Sequence, residues 1–206
     1  FWGPPGTGKT TLARILSREF GVEYFELSAI SSGVKQVREI IGKGKASFES
    51  GKRSILFIDE IHRFTKSQQD ALLHAVEDGS ITLMGATTEN PSFEVISPLL
   101  SRCRVLRLYP LNNLDLECVI KRALENDILL SQKNLQIDDE TKTFLIESCG
   151  GDARKMLNTL ELAISLHSDE NTKLLKEDIQ EALQQKNVIY NKAGDYHYDV
   201  ISAFIK

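Results

Sequence analysis

The chain has 206 residues, 41% of them hydrophobic and 26% charged. This excludes a disordered chain, which has too little apolar surface to offset its ordering entropy. Lys and Arg total 25 against 29 Asp and Glu, a formal net charge of -4, so any contact with a nucleic acid must come from a local basic patch and not from an overall positive field. No apolar run nears the roughly 18 residues that a membrane-spanning helix needs. Three widely spaced cysteines, Cys103, Cys118 and Cys149, with no CxxC, read as free thiols in a reducing cytoplasm.

The chain opens on Phe1-Trp2 and continues as Gly3-Pro4-Pro5-Gly6-Thr7-Gly8-Lys9-Thr10, which fits G-x-x-x-x-G-K-[ST]. Such a loop wraps a polyphosphate in backbone amides, and side chains at Gly3, Gly6 and Gly8 would block that approach. A helix is predicted from Lys9 to Phe20, with Leu12, Ile15 and Leu16 apolar. Its free N–H groups and dipole then face the anion. On this reading Gly3 through Thr11 hold ATP, with Lys9 reaching the β- and γ-phosphates and the Thr10 hydroxyl holding Mg2+.

Val22 to Leu27 follows as a strand. Val34 to Ser50 reads as a helix with Val34, Val37, Ile40, Ile41 and Phe48 on one face; Gly42 and Gly44 weaken it for no reason visible in the sequence. Ser54 to Asp59 is a strand buried on both faces. It emerges as Asp59-Glu60 at the C-terminal edge, where open α/β sheets bind ligands. There Asp59 can hold magnesium through water and Glu60 can polarise an attacking water as a general base. Lys66 to Glu77 reads as a helix with Ala71, Leu72 and Ala75 inward, and Ile81 to Thr87 and Arg104 to Leu108 as two more strands. Strands alternating with helices imply a parallel sheet covered on both faces.

Tyr109-Pro110 is the expected hinge, because the residue before a proline is pushed out of the helical region. Beyond it only helical periodicity remains: Leu114 to Asn126, Glu140 to Ser148, Asp152 to His167 with Asp152 as its cap, and a short Lys176 to Leu183. The expected organisation is an α/β unit over 1–110, a small all-α lid over 111–186 and a linker over 187–206.

The GPPGTGKT loop followed by DE resembles the AAA+ ATPases. Four further segments narrow the resemblance: Ser31-Ser32-Gly33-Val34-Lys35, Asp59 through Asp70 (DEIHRFTKSQQD), Gly85 through Phe93 (GATTENPSF), and Gly151-Asp152-Ala153-Arg154. Together with Gly194-Asp195 and Ser202-Ala203 they are similar to the RarA/MgsA replication-associated recombination ATPases, whose eukaryotic relatives are the Werner-helicase-interacting proteins. The resemblance implies a clamp-loader-like P-loop NTPase. In that fold Phe1-Trp2 would end the central strand that carries the phosphate loop, so most of the first strand is expected to be absent and the chain to be a trimmed piece of a longer protein.

What the resemblance implies attaches to particular residues. Thr88, ending the strand after the acidic pair, matches sensor 1, with Asn90 as the other candidate. Ser28 lies where clamp loaders carry a polar residue that restrains the catalytic glutamate. Arg102 in Ser101-Arg102-Cys103 matches an arginine that acts on the ATP of the neighbouring subunit, with Arg104 close enough to be confused with it. Arg154 matches sensor 2, which reaches from the lid to the γ-phosphate. Lys35, Arg38 and Lys45 share one flank of the 34–50 helix, and three like charges there call for an anionic partner; the corresponding clamp-loader helix tracks DNA. The expected function is a Mg2+-dependent, DNA-stimulated ATPase of replication-fork maintenance and recombination. It would be a homo-oligomer, a tetramer by resemblance, acting on single-stranded, gapped or forked DNA with single-strand-binding protein as a partner, and cytoplasmic, nucleoid-associated in bacteria. The alternative is a clamp-loader subunit or a Holliday-junction branch-migration motor.

Overall fold

A computed structural model describes residues 1–126, 135–167 and 173–184. The expected linker over 187–206, and with it Gly194-Asp195 and Ser202-Ala203, lies outside the described residues. The chain divides into two compact units, Phe1–Pro110 and a second beginning at Leu111.

The first unit runs α1 (Lys9–Glu19), β1 (Glu23–Ser28), α2 (Val34–Glu49), β2 (Ser54–Asp59), a 3-10 turn (Ile61–Arg63), α3 (Lys66–Glu77), β3 (Thr82–Gly85), α4 (Pro91–Glu94) and α5 (Ser97–Leu100). The three strands are parallel in the order β1-β2-β3. Strand β2 is central and buried from Ser54 to Ile58. Its alternating side chains serve opposite layers: Leu56 and Ile58 join Val37, Leu72, Ala75 and Leu99 in one core, and Phe57 meets Ala13 and Ala86 in another. A strand with no solvent-facing side has no use for polar alternation, which is why the sequence reads there as a continuous apolar run.

One feature of this unit is open in the sequence and one departs from its reading. The buried face of α1 is not the Leu12, Ile15, Leu16 stripe. It is Lys9, Ala13 and Ser17, while Ile15 is 55% exposed. Small side chains at four-residue spacing let α1 approach the sheet closely at the phosphate loop, and larger ones would hold it away. Arg104 to Leu108 is not a strand. Among the described residues, only Arg107 of this segment forms a bridge, to Trp2, which also bridges Thr87. The preceding residues 104–106 line an apolar groove of about 730 Å3, with Met84 and Leu99 on its other walls; a ladder needs a hydrogen-bonded neighbour, and only Trp2 supplies one among the described residues.

Gly44 now has a physical account. It is buried, and a Cβ there would lie 2.6 Å from Cγ1 of Ile81. Helix α2 therefore needs a missing side chain to seat against the end of the sheet. Gly42 faces open space, and nothing in the structure explains it.

The second unit comprises α6 (Asn113–Asn126), β4 (Gln136–Ile137), α7 (Asp139–Cys149), α8 (Ala153–Ser165), β5 (Lys173–Leu174) and a helix over 176–184, α9. The expectation of helices alone needs correction, because β4 and β5 form a short parallel pair. Two-residue strands lie below the length at which alternation is visible. The core is aliphatic, with Leu116, Ile120, Leu145, Met156, Leu160, Leu174 and Ile179 all buried. Asp138 and Asp152 cap α7 and α8, accepting from the N–H groups of Thr141 and Lys155 at 2.8 Å. None of the three cysteines is in a disulfide, and burial pushes the Cys103 thiol pKa up. Among the described residues no helix is long and apolar enough to cross a membrane.

Candidate active site

The phosphate loop is built by backbone geometry that only glycine supplies. Gly6 and Gly8 have φ of 70° and 84°, in the left-handed region that costs an L side chain roughly 1–2 kcal/mol. Gly3 has a different reason: a Cβ there would lie 2.3 Å from the Leu108 carbonyl oxygen. Trp2, immediately before it, donates to Leu106 O at 2.9 Å and accepts from Leu108 N at 2.7 Å. The root of the loop is thus clamped against residues 106–108. Arg107 stacks on Trp2 and Tyr109, 4.9 and 5.0 Å from the two ring centroids, an arrangement that favours a guanidinium over a ring face.

Lys9 is 8% exposed. Its ammonium donates to the carbonyls of Gly3 and Pro4, both at 2.8 Å, so the loop curls around the cation. Thr7 donates to Pro4 O at 3.0 Å and braces the same curl. Gly8 is the N-cap of α1 and makes no side-chain cap bond. The first-turn amides of that helix therefore have no cap acceptor from it and suit an anion. A loop that excludes side chains, a buried ammonium and a helix N-terminus fit a polyphosphate. Thr10 and Asp59 offer the hard oxygens that Mg2+ takes beside phosphate. Pro5 and Thr11 are solvent-facing and Pro4 half-buried.

The acidic pair ends the central strand. Asp59 pairs in register with Ser28 on β1, and its Oδ1 accepts from Glu60 N at 3.2 Å. Glu60 has φ 54° and ψ 45°, and among the described residues it is the one non-glycine with positive φ. Strain of this kind costs about 1–3 kcal/mol and persists where the surroundings impose a direction on a side chain. Here it turns the chain into the 3-10 turn and brings His62 back to Glu60. His62 Nδ1 lies 3.2 Å from Glu60 Oε2 and 2.9 Å from Thr87 Oγ1. Ser28 thus stands beside Asp59, while the neighbour of the glutamate carboxylate is His62.

Thr87 enters this cluster, and Thr88, the sensor-1 candidate, is half-buried next to it in the chain. Asn90 caps α4 by accepting from Ser92 N at 3.0 Å. Sequence reasoning missed both His62 and Thr87. The signal available was a histidine two residues after the glutamate in a segment too short for a full helical turn.

None of the other expected residues of the first unit is hydrogen-bonded or ion-paired to Glu60, His62 or Thr87. Arg102 follows α5 and pairs with Glu77 of α3 at 2.5 Å, while donating to Pro98 O at 2.8 Å. Arg154 is exposed in the first turn of α8. Lys35, Arg38 and Lys45 are exposed on α2, and Lys45 pairs with Asp78 at 3.5 Å. The KSQQDA segment acts as a structural tie. Its Gln69 is buried, donates to Phe64 O and Glu94 O and accepts from Ile96 N. These bonds fasten α3 to the segment that leads into α5.

Comparison with known proteins accords with this geometry. The model of the AAA family, ATPases associated with various cellular activities, matches residues 1–111, and the AAA C-terminal domain matches residues 131–206. The whole chain is 44% identical to 47% of the Escherichia coli K12 replication-associated recombination protein A. It is 44% identical to 26% of the Dictyostelium discoideum ATPase WRNIP1, so it spans less than half the length of these curated relatives. The Thermotoga maritima RuvB Holliday junction branch migration motor has a similar structure, with a TM-score of 0.67 at 27% identity over 89% of this chain and 59% of that one. A parallel sheet with the phosphate loop at its edge, followed by a helical unit and matched by that family model, identifies the chain as a member of the AAA family of ATPases.

Proposed function

We propose that this chain is the ATP-hydrolysing part of a DNA-stimulated switch acting in replication-fork maintenance and recombination. The observation that carries the reading is the phosphate loop closed on Lys9 together with a strained Glu60 whose Oε2 is buried without an aligned hydrogen bond. That oxygen suits a general base acting on water. The proposed roles follow from position. Gly3 through Thr11 hold the triphosphate, Thr10 and Asp59 hold Mg2+, and Glu60 takes a proton from the attacking water. Mg2+ held by these two residues would supply neutralisation of the phosphate charge. Arg102 is the trans arginine, a group worth roughly 10³–10⁵-fold in phosphoryl transfer, and Arg154 senses the γ-phosphate from the second unit. Either Thr88 or Asn90 serves as sensor 1.

The likeness to the recombination proteins supports DNA as partner, and the proposal adds a homo-oligomer with single-strand-binding protein as an associate. The proposed setting is cytoplasmic and, in bacteria, nucleoid-associated. The DNA contact is assigned to Lys35, Arg38 and Lys45, with Lys45 exchanging Asp78 for a phosphate. The fold likeness to RuvB favours a branch-migration motor as the second reading, but 44% identity across the whole chain weighs more than 27%.

The test uses full-length protein. ATP turnover is measured with and without single-stranded, gapped and forked DNA for wild type, Glu60→Gln and Arg102→Ala. Both variants should lose turnover, and mixing them should restore part of it across the subunit interface. A Glu60→Gln protein with wild-type turnover, or turnover indifferent to every DNA, would sink the reading.

A further inference from the structure

The cluster behind Glu60 carries an inference that rests on Glu60 being the base. His62 Nδ1 faces two oxygens, Thr87 Oγ1 at 2.9 Å and Glu60 Oε2 at 3.2 Å. A nitrogen lone pair aimed at a carboxylate is repelled, so the proton sits on Nδ1. The hydrogen bonds of Thr87 agree with this. Its oxygen accepts from Glu89 N at 3.0 Å and its hydroxyl donates to Glu89 O at 3.3 Å, leaving one acceptor position for His62. One N–H thus faces two acceptors. It is aligned on Thr87, and Glu60 Oε2, 3.2 Å away, is left buried without a hydrogen bond.

The backbone of Thr87 is held by the root of the phosphate loop. Its carbonyl accepts from Gly3 N at 3.2 Å, and its N–H donates to Phe1 O at 3.0 Å, either side of Trp2. Movement of the loop root therefore moves Thr87. From these contacts we infer that His62 is a positioning residue which shares a single N–H between Thr87 and Glu60 and so ties the state of the Glu60 carboxylate to the phosphate loop. While His62 donates to Thr87, Oε2 is open to accept from water. When Thr87 draws away, the N–H passes to Oε2, and the carboxylate is held off the water. The proton stays on Nδ1 throughout, and no bond is made or broken.

Paired substitutions in full-length protein test this. In His62→Asn the amide nitrogen falls near the Nδ1 position; in His62→Gln it falls nearer Nε2. Both are polar, so loss of folding does not separate them. The expected result is kcat within about 3-fold of wild type for His62→Asn and about 10-fold down for His62→Gln, since small misplacements of a reacting group cost rate steeply. ATP affinity should be unchanged in both. Thr87→Val should lower kcat too, and the Thr87→Val, His62→Gln double variant should be no slower than the worse single, because both act through one N–H. Equal kcat for Asn and Gln, a matching loss of ATP affinity, or multiplying effects would each overturn the inference. Glu60→Gln is the control: if it keeps turnover, the reading of Glu60 as base fails first, whereas if it is inactive while His62→Gln turns over normally, only the role of His62 falls.

Discussion

The two units tolerate opposite errors. In the first, close packing depends on side chains that are absent or small: Gly3 against the Leu108 carbonyl, Gly44 against Ile81, Gly85, where a Cβ would lie 3.1 Å from Ile61 Cδ1, and the fully buried Ala13. In the second, the core is a block of large aliphatics such as Leu116, Leu145, Met156 and Leu160. A site that wraps a polyphosphate needs backbone brought close, and closeness requires small residues. A helical unit holds together by filled volume. Adding a methyl should therefore harm the first unit and removing several should harm the second.

The largest expected effect is Gly3→Ala. A Cβ facing a backbone carbonyl cannot be relieved by a rotamer change, and nucleotide affinity should fall about 100-fold or more, about 3 kcal/mol, measured by calorimetry on full-length protein. Near-normal affinity would break the comparison. Leu160→Ala should destabilise the second unit by about 2–5 kcal/mol. Hydrogen exchange should then open α6 to α8 while the amides of β1 to β3 stay protected, and joint opening would show that the units do not melt separately. Gly44→Ala and Gly42→Ala, two residues apart on one helix, should have opposite signs. The first should cost about 1–3 kcal/mol from overpacking; the second should gain up to about 1 kcal/mol from helix propensity. Like signs would remove the account of Gly44.

Asp152→Ala should cost about 1 kcal/mol through loss of the α8 cap, read by thermal unfolding. The smallest effect is one of pH. The Thr141 N–H holds the Asp138 carboxyl below its ordinary value. A depressed carboxyl stabilises the fold above its unfolded pKa of about 3.9 and loses that contribution as pH falls through the folded value. Asp138→Asn should therefore flatten the acid limb of the stability curve below about pH 4 and leave its shape near neutrality unaltered. An unchanged acid limb would show that the cap is not charged.

Much of the site was legible because its chemistry is local. The phosphate loop, its helix and the acidic pair each lie within about ten consecutive residues, and spacing alone specifies them. The burial of β2 was legible for the same reason, since a run of four apolar residues ending in two acids has few other uses. What escaped was non-local. The inward face of α1 depends on how near the sheet comes, and the apolar Leu12 and Ile15 lie outside it. Arg104 to Leu108 has strand composition but a ladder partner only at Trp2. His62 and Thr87 lie 25 residues apart, and no periodicity links them. Gly44 looked like a defect until Ile81 was placed beside it.

By itself the sequence determined a nucleotide loop, an acidic strand end and a change from α/β to helical patterning at Pro110, because backbone freedom, charge and period are properties of neighbouring residues. Tertiary structure alone decided that Thr87 and not Thr88 meets His62, that Glu60 adopts a left-handed conformation, and that Arg102 lies on Glu77. The direction of a side chain across the end of a sheet depends on strand register and turn geometry, which are set by contacts between segments distant along the chain.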